Sequence, residues 1–307
     1  MFKNLNAAIL GVSGRQSELI ELAMTYGFKG LDIDLADLVK RTQRASYEVA
    51  SRYLSSAQMT VGGFEIPVDL DADDAAFAKA LASLVIAAEI ASKAGAKAGN
   101  IGIPSATNRL PYHEFFEVVR KRVDQVAEVL AKHDLKLGLY FSAAVESREG
   151  KQFPFVKDVE GYLAFFKACT ASNTCLTINT WDWTIGGGTD SQLANVPVGR
   201  IIGLRLADAA EGIDYANASN TQRLMPGSNG VIDNVGIVSQ LAKMEFDGPL
   251  TAYGHVSQMS GKTRDMIVSA AQDSLDNVMS TAGLPTYTRK PELVGESTAP
   301  VFAEIEA

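Results

Sequence analysis

The sequence predicts an α/β fold, a closed (β/α)8 TIM barrel. Three observations predict it. Short apolar runs alternate with longer helical patterns from one end of the chain to the other. Eight such units fit within about 260 residues, the size of one barrel. No unit offers a dinucleotide-binding loop, since the nearest glycine cluster, "GVSG" at Gly11 to Gly14, is too short for GxGxxG. With 307 residues, 47% of them apolar, the chain can bury a large core. The expected organisation is a barrel domain over residues 1–282, followed by a Pro-rich, aperiodic tail or arm over 283–307.

The strand segments, in order, are "AAILGV" from Ala7, "GLDIDL" from Gly30, "MTVGGFEI" from Met59 and "KAGNIGI" from Lys97, then "LKLGLYFS" from Leu135, "TCLTINTW" from Thr174, "RIIGLRLAD" from Arg200 and "PLTAYGH" from Pro249. Helical patterns lie near 15–26, 42–56, 72–94, 112–133, 156–172, 231–244 and 261–282. The third opens at "DLDADDAAF", where Asp side chains suit the exposed amides and positive dipole end of a helix, and closes at Gly95. The fourth sets Phe116, Val119, Val123, Val126 and Leu130 at helical spacing. Between the sixth and seventh strands, "TDSQLANVP" leaves room for only a turn or two.

Charge narrows the partners. Thirty-six acidic against 28 basic side chains give a net charge of -8, and no Lys/Arg cluster could neutralise a run of phosphates, so nucleic acid is not expected. The sequence shows no run of about 20 apolar residues, and its first apolar run is soon punctuated by Gly11, so neither a membrane span nor a signal segment is expected and the location reads as cytoplasmic. Cys169 and Cys175 form neither a CxxC redox pair nor half of a zinc site, and read as buried apolar thiols.

Side chains alternate along a strand, so each strand sends one parity into the barrel and the other toward the helices. With the aliphatic parity outside, the interior receives Tyr140 and Ser142, Thr177, Asn179 and Trp181, Gly203 and Arg205, Thr251 and Tyr253, with His255 just beyond, and Asp32 and Asp34. Glu65 lies close to the end of the third strand, at the rim where barrel ligands collect, and Asn100 on the fourth strand is expected to add a polar contact. A guanidinium in a dry interior needs an anion. For Arg205 that anion is either a carboxylate of the chain, from Asp32, Asp34, Glu146, Asp182 or Asp208, or a group on a ligand.

These segments resemble the xylose isomerase-like TIM barrels, the sugar phosphate isomerase and epimerase superfamily. The resemblance rests on "GFKGLDIDL", "LKLGLYFS", "INTWDWTIGGG", "GLRLADA", "RLMPGSNGVID" and "FDGPLTAYG" together. It implies a divalent cation held by a Glu, an Asp, a His and a Glu on the fifth to eighth strands, with the two glutamates moving protons between sugar carbons. Laid on this chain, those four positions fall on Tyr140, Asn179, Arg205 and Tyr253, and a further family His falls on Asp182. It also implies that Arg223 lies near substrate, and that Trp181, with Trp183, stacks on sugar faces or packs beneath a loop. The loop "GSNG" offers either amides to an anion or a plain turn.

Two phenols, an amide and a guanidinium give a hard divalent cation no good donors, so neither a metal nor another cofactor is expected. The implied ligand is a small carbohydrate-like molecule. Two readings stay open: a barrel that binds a sugar, polyol, sugar acid or sugar phosphate, and an enzyme that works without metal. The enzyme would use Asp182, Tyr140, Tyr253 or His255 for proton transfer, with Asp32 and Glu65 as further carboxylates, and Arg205 as electrophile. The tail is compatible with a homodimer.

Overall fold

The structure is a computed structural model and describes residues 1–57 and 59–286. The tail beyond residue 286 lies outside the described residues. Eight parallel strands form the barrel: β1 (Phe2–Leu5), β2 (Gly30–Leu31), β3 (Thr60–Val61), β4 (Ala98–Gly102), β5 (Lys136–Tyr140), β6 (Thr174–Asn179), β7 (Ile201–Leu206) and β8 (Pro249–Ala252). Their hydrogen-bonded order is β3-β2-β1-β8-β7-β6-β5-β4. The two ends of that sheet meet through a parallel bridge between Glu65 and Asn100. There Asn100 N donates to Phe64 O and Ile66 N to Asn100 O, both at 2.8 Å. A residue at the candidate ligand rim therefore also completes the cylinder.

The helical shell comprises α1 (Gln16–Thr25), α2 (Leu35–Arg44), α3 (Tyr47–Ala57), α4 (Asp74–Lys93), α5 (Tyr112–Ala131), α6 (Val159–Ala168), the short α7 (Thr180–Ile185) and α8 (Asp190–Ala194), then α9 (Asn234–Lys243) and α10 (Arg264–Thr281). Asp73, Asp158, Asp233 and Thr263 start four of them by accepting a backbone amide at the open first turn. By length and composition α4 could cross a membrane, yet Phe77, Leu84, Ala87, Ala88 and Ala91 on it are buried in the shell.

On β7 Ile202, expected outside, turns into the barrel beside Gly138 and lines its interior, next to the register shift between Leu176 and Thr177. Otherwise the parity expected for β5 to β7 holds: Leu135, Leu137, Leu139, Phe141, Leu176, Ile178, Leu204 and Leu206 are all buried among the apolar core. Three other local expectations do not. The first strand is Phe2–Leu5, and the run from Ala7 instead turns through a 3-10 segment, Ala8–Leu10, with Ala7, Leu10 and Val12 buried. The pattern over 42–56 is the end of one helix and most of another: the chain leaves α2 at Ala45, and the Ser46 hydroxyl accepts from Val49 N at 3.3 Å to start α3. In α5 it is Phe115 that is fully buried, with Phe116 half-buried beside it.

The lower interior of the barrel is polar and tightly filled. Asn4 donates to Thr251 Oγ1 at 3.0 Å, and Thr177 Oγ1 donates to Asn100 Oδ1 at 2.5 Å. Two glycines make room for these groups. A Cβ at Gly62 would lie 1.9 Å from Asn4 Oδ1, and one at Gly138 would lie 2.6 Å from Thr177 Oγ1 and 2.7 Å from Asn100 Oδ1. Alanine at either position would force the polar layer apart.

Candidate functional site

The carboxyl ends of the strands hold two arginines. Arg205 on β7 is in register with Asn179 on β6 and Thr251 on β8, so adjacent strands aim three polar side chains inward. Its guanidinium is 5% exposed and donates to Glu65 Oε1, whose side chain is 46% exposed. Tyr140 OH donates to the other oxygen, Glu65 Oε2, at 3.1 Å. The guanidinium carbon stands 4.7 Å from the centroid of the Tyr140 ring and 5.9 Å from that of Tyr253.

Burial opposes the charge on Arg205, but Glu65, the oxygens of Tyr140 and Tyr253, and Asp32 outweigh it and raise its pKa. The guanidinium is permanently charged. Burial and the Glu65 charge push the Tyr140 phenol well above its ordinary range against the opposing effect of Arg205, so it keeps its proton and acts as a donor. Asp32 accepts from Asn4 Nδ2 at 2.8 Å and Asn6 Nδ2 at 2.7 Å. Burial raises its pKa despite these bonds and the nearby Arg205. Between Asp32, Asn4, Asn100, Thr177 and Arg205 lies a cavity of about 20 Å³, room for one water.

Arg223 forms the second centre. Its Nη2 donates to Asp182 Oδ2 at 3.2 Å and to Asn220 Oδ1 at 2.8 Å, and its side chain and that of Asp182 are 4% and 2% exposed. Asp182 also accepts from Ala143 N at 2.9 Å and from Asn179 Nδ2 at 3.2 Å. The guanidinium of Arg223 lies 4.7 Å from the Trp181 ring and 4.2 Å from the Tyr253 ring. Tyr253 therefore lies beside both arginines. Three buried atoms around this centre have no protein partner: Asn179 Oδ1, Trp181 Nε1 and Arg223 Nε.

Nine of the eleven anticipated site residues converge on these two centres: Asp32, Glu65, Tyr140, Asn179, Trp181, Asp182, Arg205, Arg223 and Tyr253. Asn100 lies below them, spent on Thr177 and the closing bridge. His255 meets the second centre only through its backbone, whose N donates to Arg223 O at 2.9 Å, while its side chain caps a 3-10 turn, with Nδ1 2.8 Å from Ser257 Oγ. Trp181 is fully buried in α7, because β6 passes directly into a helix at Thr180 and strand alternation stops there. It is a floor for Arg223, with no open face for a sugar. Trp183 is likewise buried and packs on Gly188.

Asp34, expected inside, points out and caps α2 by accepting from Asp37 N at 2.9 Å. The "GSNG" amides are also engaged internally. The buried Asp208 accepts from Asn229 N at 2.8 Å, Gly230 N at 2.6 Å and Ile232 N at 3.0 Å, so these amides are unavailable to an outside anion. Asn4 and Asn6, which donate to Asp32, and Asn220, which accepts from Arg223, also meet these two centres. The misplaced first strand hid Asn4, and Asn220 has no sequence signal beyond lying three residues before Arg223.

Fold and site together define an eight-stranded barrel with polar and aromatic side chains gathered at its carboxyl-end mouth. Residues 20–272 match the profile of the xylose isomerase-like TIM barrel, and the chain belongs to that family. A xylose isomerase domain protein from Alicyclobacillus acidocaldarius subsp. acidocaldarius superposes with a TM-score of 0.82 at 19% identity, over 92% of this chain and 99% of that one. The IolI protein, solved with a binding zinc atom, gives 0.78 at 14% identity over 92% and 99%. D-psicose 3-epimerase, solved in the presence of D-fructose, gives 0.69 at 12% over 92% and 100%. No curated protein matches the sequence.

The divalent cation implied by the family resemblance does not fit these side chains. The four corresponding positions present two phenols, an amide and a permanently charged guanidinium. Among the described residues no group of three or more His, Cys, Asp and Glu side chains could hold a metal ion.

Proposed function

We propose that the barrel mouth binds a small sugar, polyol, sugar acid or sugar phosphate, with Arg205 supplying the positive charge that a divalent cation supplies elsewhere in the family. The observation that carries this reading is the position of Arg205: a buried guanidinium at the strand ends, held by Glu65 and Tyr140. Tyr140 and Tyr253 offer ring surface to an apolar sugar face, while Asn179 Oδ1 and Arg223 Nε remain buried and unpaired. That relatives of the same fold include proteins named D-psicose 3-epimerase and L-ribulose 3-epimerase supports a carbohydrate over other small molecules.

The arrangement favours binding over proton transfer. A general base needs a free lone pair near the operating pH. Tyr140 is held protonated, and Asp182 accepts from three neighbours. A thermal-shift panel of aldoses, ketoses, inositols, sugar acids and sugar phosphates tests the reading, run in EDTA and again in manganese. We expect at least one compound to raise the melting temperature equally under both conditions and to lose its effect in Arg205→Met. Stabilisation that appears only with manganese, or that survives in Arg205→Met, contradicts it.

A further inference from the structure

We infer that Glu65 is a built-in occupant of a carboxylate site, and that the ligand preferred by the mouth carries a carboxylate that displaces the Glu65 side chain from Arg205 and Tyr140. This rests on the binding reading above and names its ligand class.

The pair is asymmetric. Arg205 is shut away from water, but its partner Glu65 is nearly half exposed. The donors are arranged for a planar, two-oxygen anion: Arg205 Nη2 serves one oxygen of Glu65 and Tyr140 OH the other. The Glu65 backbone is clamped by its bridge to Asn100 and the hydrogen bonds on either side, so vacating the site requires only side-chain rotation into solvent. Exchange of one carboxylate for another keeps the buried guanidinium paired throughout. A neutral polyol in the same place would leave Arg205 buried without an anion, which is costly.

The same geometry disfavours a phosphate. A phosphate needs donors for three or more oxygens, and the loop amides that the sequence offered to an anion, on Asn229 and Gly230, are taken by Asp208 together with that of Ile232. The other buried guanidinium of the mouth, Arg223, is committed to Asp182 and Asn220. A ligand carboxylate also meets a neutral Tyr140, since that phenol keeps its proton.

Occupation by Glu65 lowers the apparent affinity for any competing carboxylate in proportion to the fraction of time the site is free. Chemical rescue of Glu65→Ala tests this with a simple carboxylate standing in for the full ligand. In sodium chloride the variant should melt below wild type. Sodium glycolate at equal ionic strength should restore the melting temperature saturably, and glucose or glucose 6-phosphate should not. Gluconate should bind Glu65→Ala about tenfold or more tightly than wild type, a ratio set by Glu65 occupancy. Glu65→Gln, which keeps the side-chain volume and one acceptor, should show the same ordering with a smaller gain and serves if the alanine variant folds poorly.

Adding Arg205→Met to either variant should remove the effect. Equal shifts by glycolate and chloride, or rescue that persists without Arg205, overturn the inference. If neutral sugars bind the wild type while glycolate rescues neither variant, this inference falls and the broader binding reading stands. If glycolate rescues but no sugar, polyol, sugar acid or sugar phosphate binds the wild type, the carboxylate site stands and the carbohydrate reading falls.

Discussion

Arg205 and Arg223 both stand beside Tyr253, yet their partners differ in access to water: Glu65 is reached by solvent, and Asp182 is not. A salt bridge sealed on both sides is part of the frame, because removal of either member strands a charge in a dry interior. A bridge open on one side can exchange its anion. The difference teaches that side chains which look equally functional in a motif divide into those that build the mouth and those that can meet a ligand there. Asp182, Arg223 and Trp181 belong to the first kind; Glu65, Arg205 and Tyr140 belong to the second.

The largest effect that could break this comparison is on stability. Asp182→Ala leaves Arg223 buried without its carboxylate and frees the amide of Ala143, and should cost about 3–5 kcal/mol. Arg205→Met removes the buried charge and releases Glu65 to water, and should change stability by no more than about 1 kcal/mol. Urea denaturation with unchanged slopes measures both. Equal losses would show that the two bridges play the same part.

A smaller effect sharpens the comparison through pH. The Asp32 pKa is raised in the fold by burial, so the stability it contributes is complete below the ordinary carboxylate value and is lost as pH rises through the folded value. Asp32→Asn does not ionise and escapes that loss. The stability of Asp32→Asn relative to wild type should therefore rise between about pH 4 and neutrality, as read from melting temperatures across that window. A difference that is flat or that falls over the same window would mean that Arg205 and the Asn4 and Asn6 amides stabilise the Asp32 carboxylate more than burial penalises it.

Seven of the eight strands were legible in the sequence as short apolar runs between helical patterns, as around Leu137 and Leu139 or Ile178 and Leu204. The first strand was not, since "FKNL" carries a polar residue on each face. Asn4 points into the barrel, and Lys3 is buried on the opposite side in a 2.7 Å pair with Asp276 of α10. The more apolar Ala7 run drew the assignment away. The mouth was legible wherever strand parity applied, at Tyr140, Asn179 and Arg205. It failed where the backbone left the strand, at Asp34, which caps a helix, and at His255, which caps a turn. The partnership of Arg205 was legible only as a need for an anion: the carboxylates expected for it were Asp32, Asp34, Glu146, Asp182 and Asp208, and it is instead Glu65 that the bridge closing the barrel brings to it. Asp208 shows the same limit: sequence marks it as a strand-end carboxylate, and only three-dimensional packing gives it the loop amides.

The central claim is that a guanidinium stands where the family resemblance implies a metal ion, and metal content tests it most directly. Protein dialysed against manganese, cobalt or zinc, freed of excess ion and measured by elemental analysis with anomalous scattering from crystals, should hold no stoichiometric ion in the barrel mouth, while Arg205 remains directed at Glu65. One ion per chain coordinated beside Arg205 by side chains of the mouth would contradict the account.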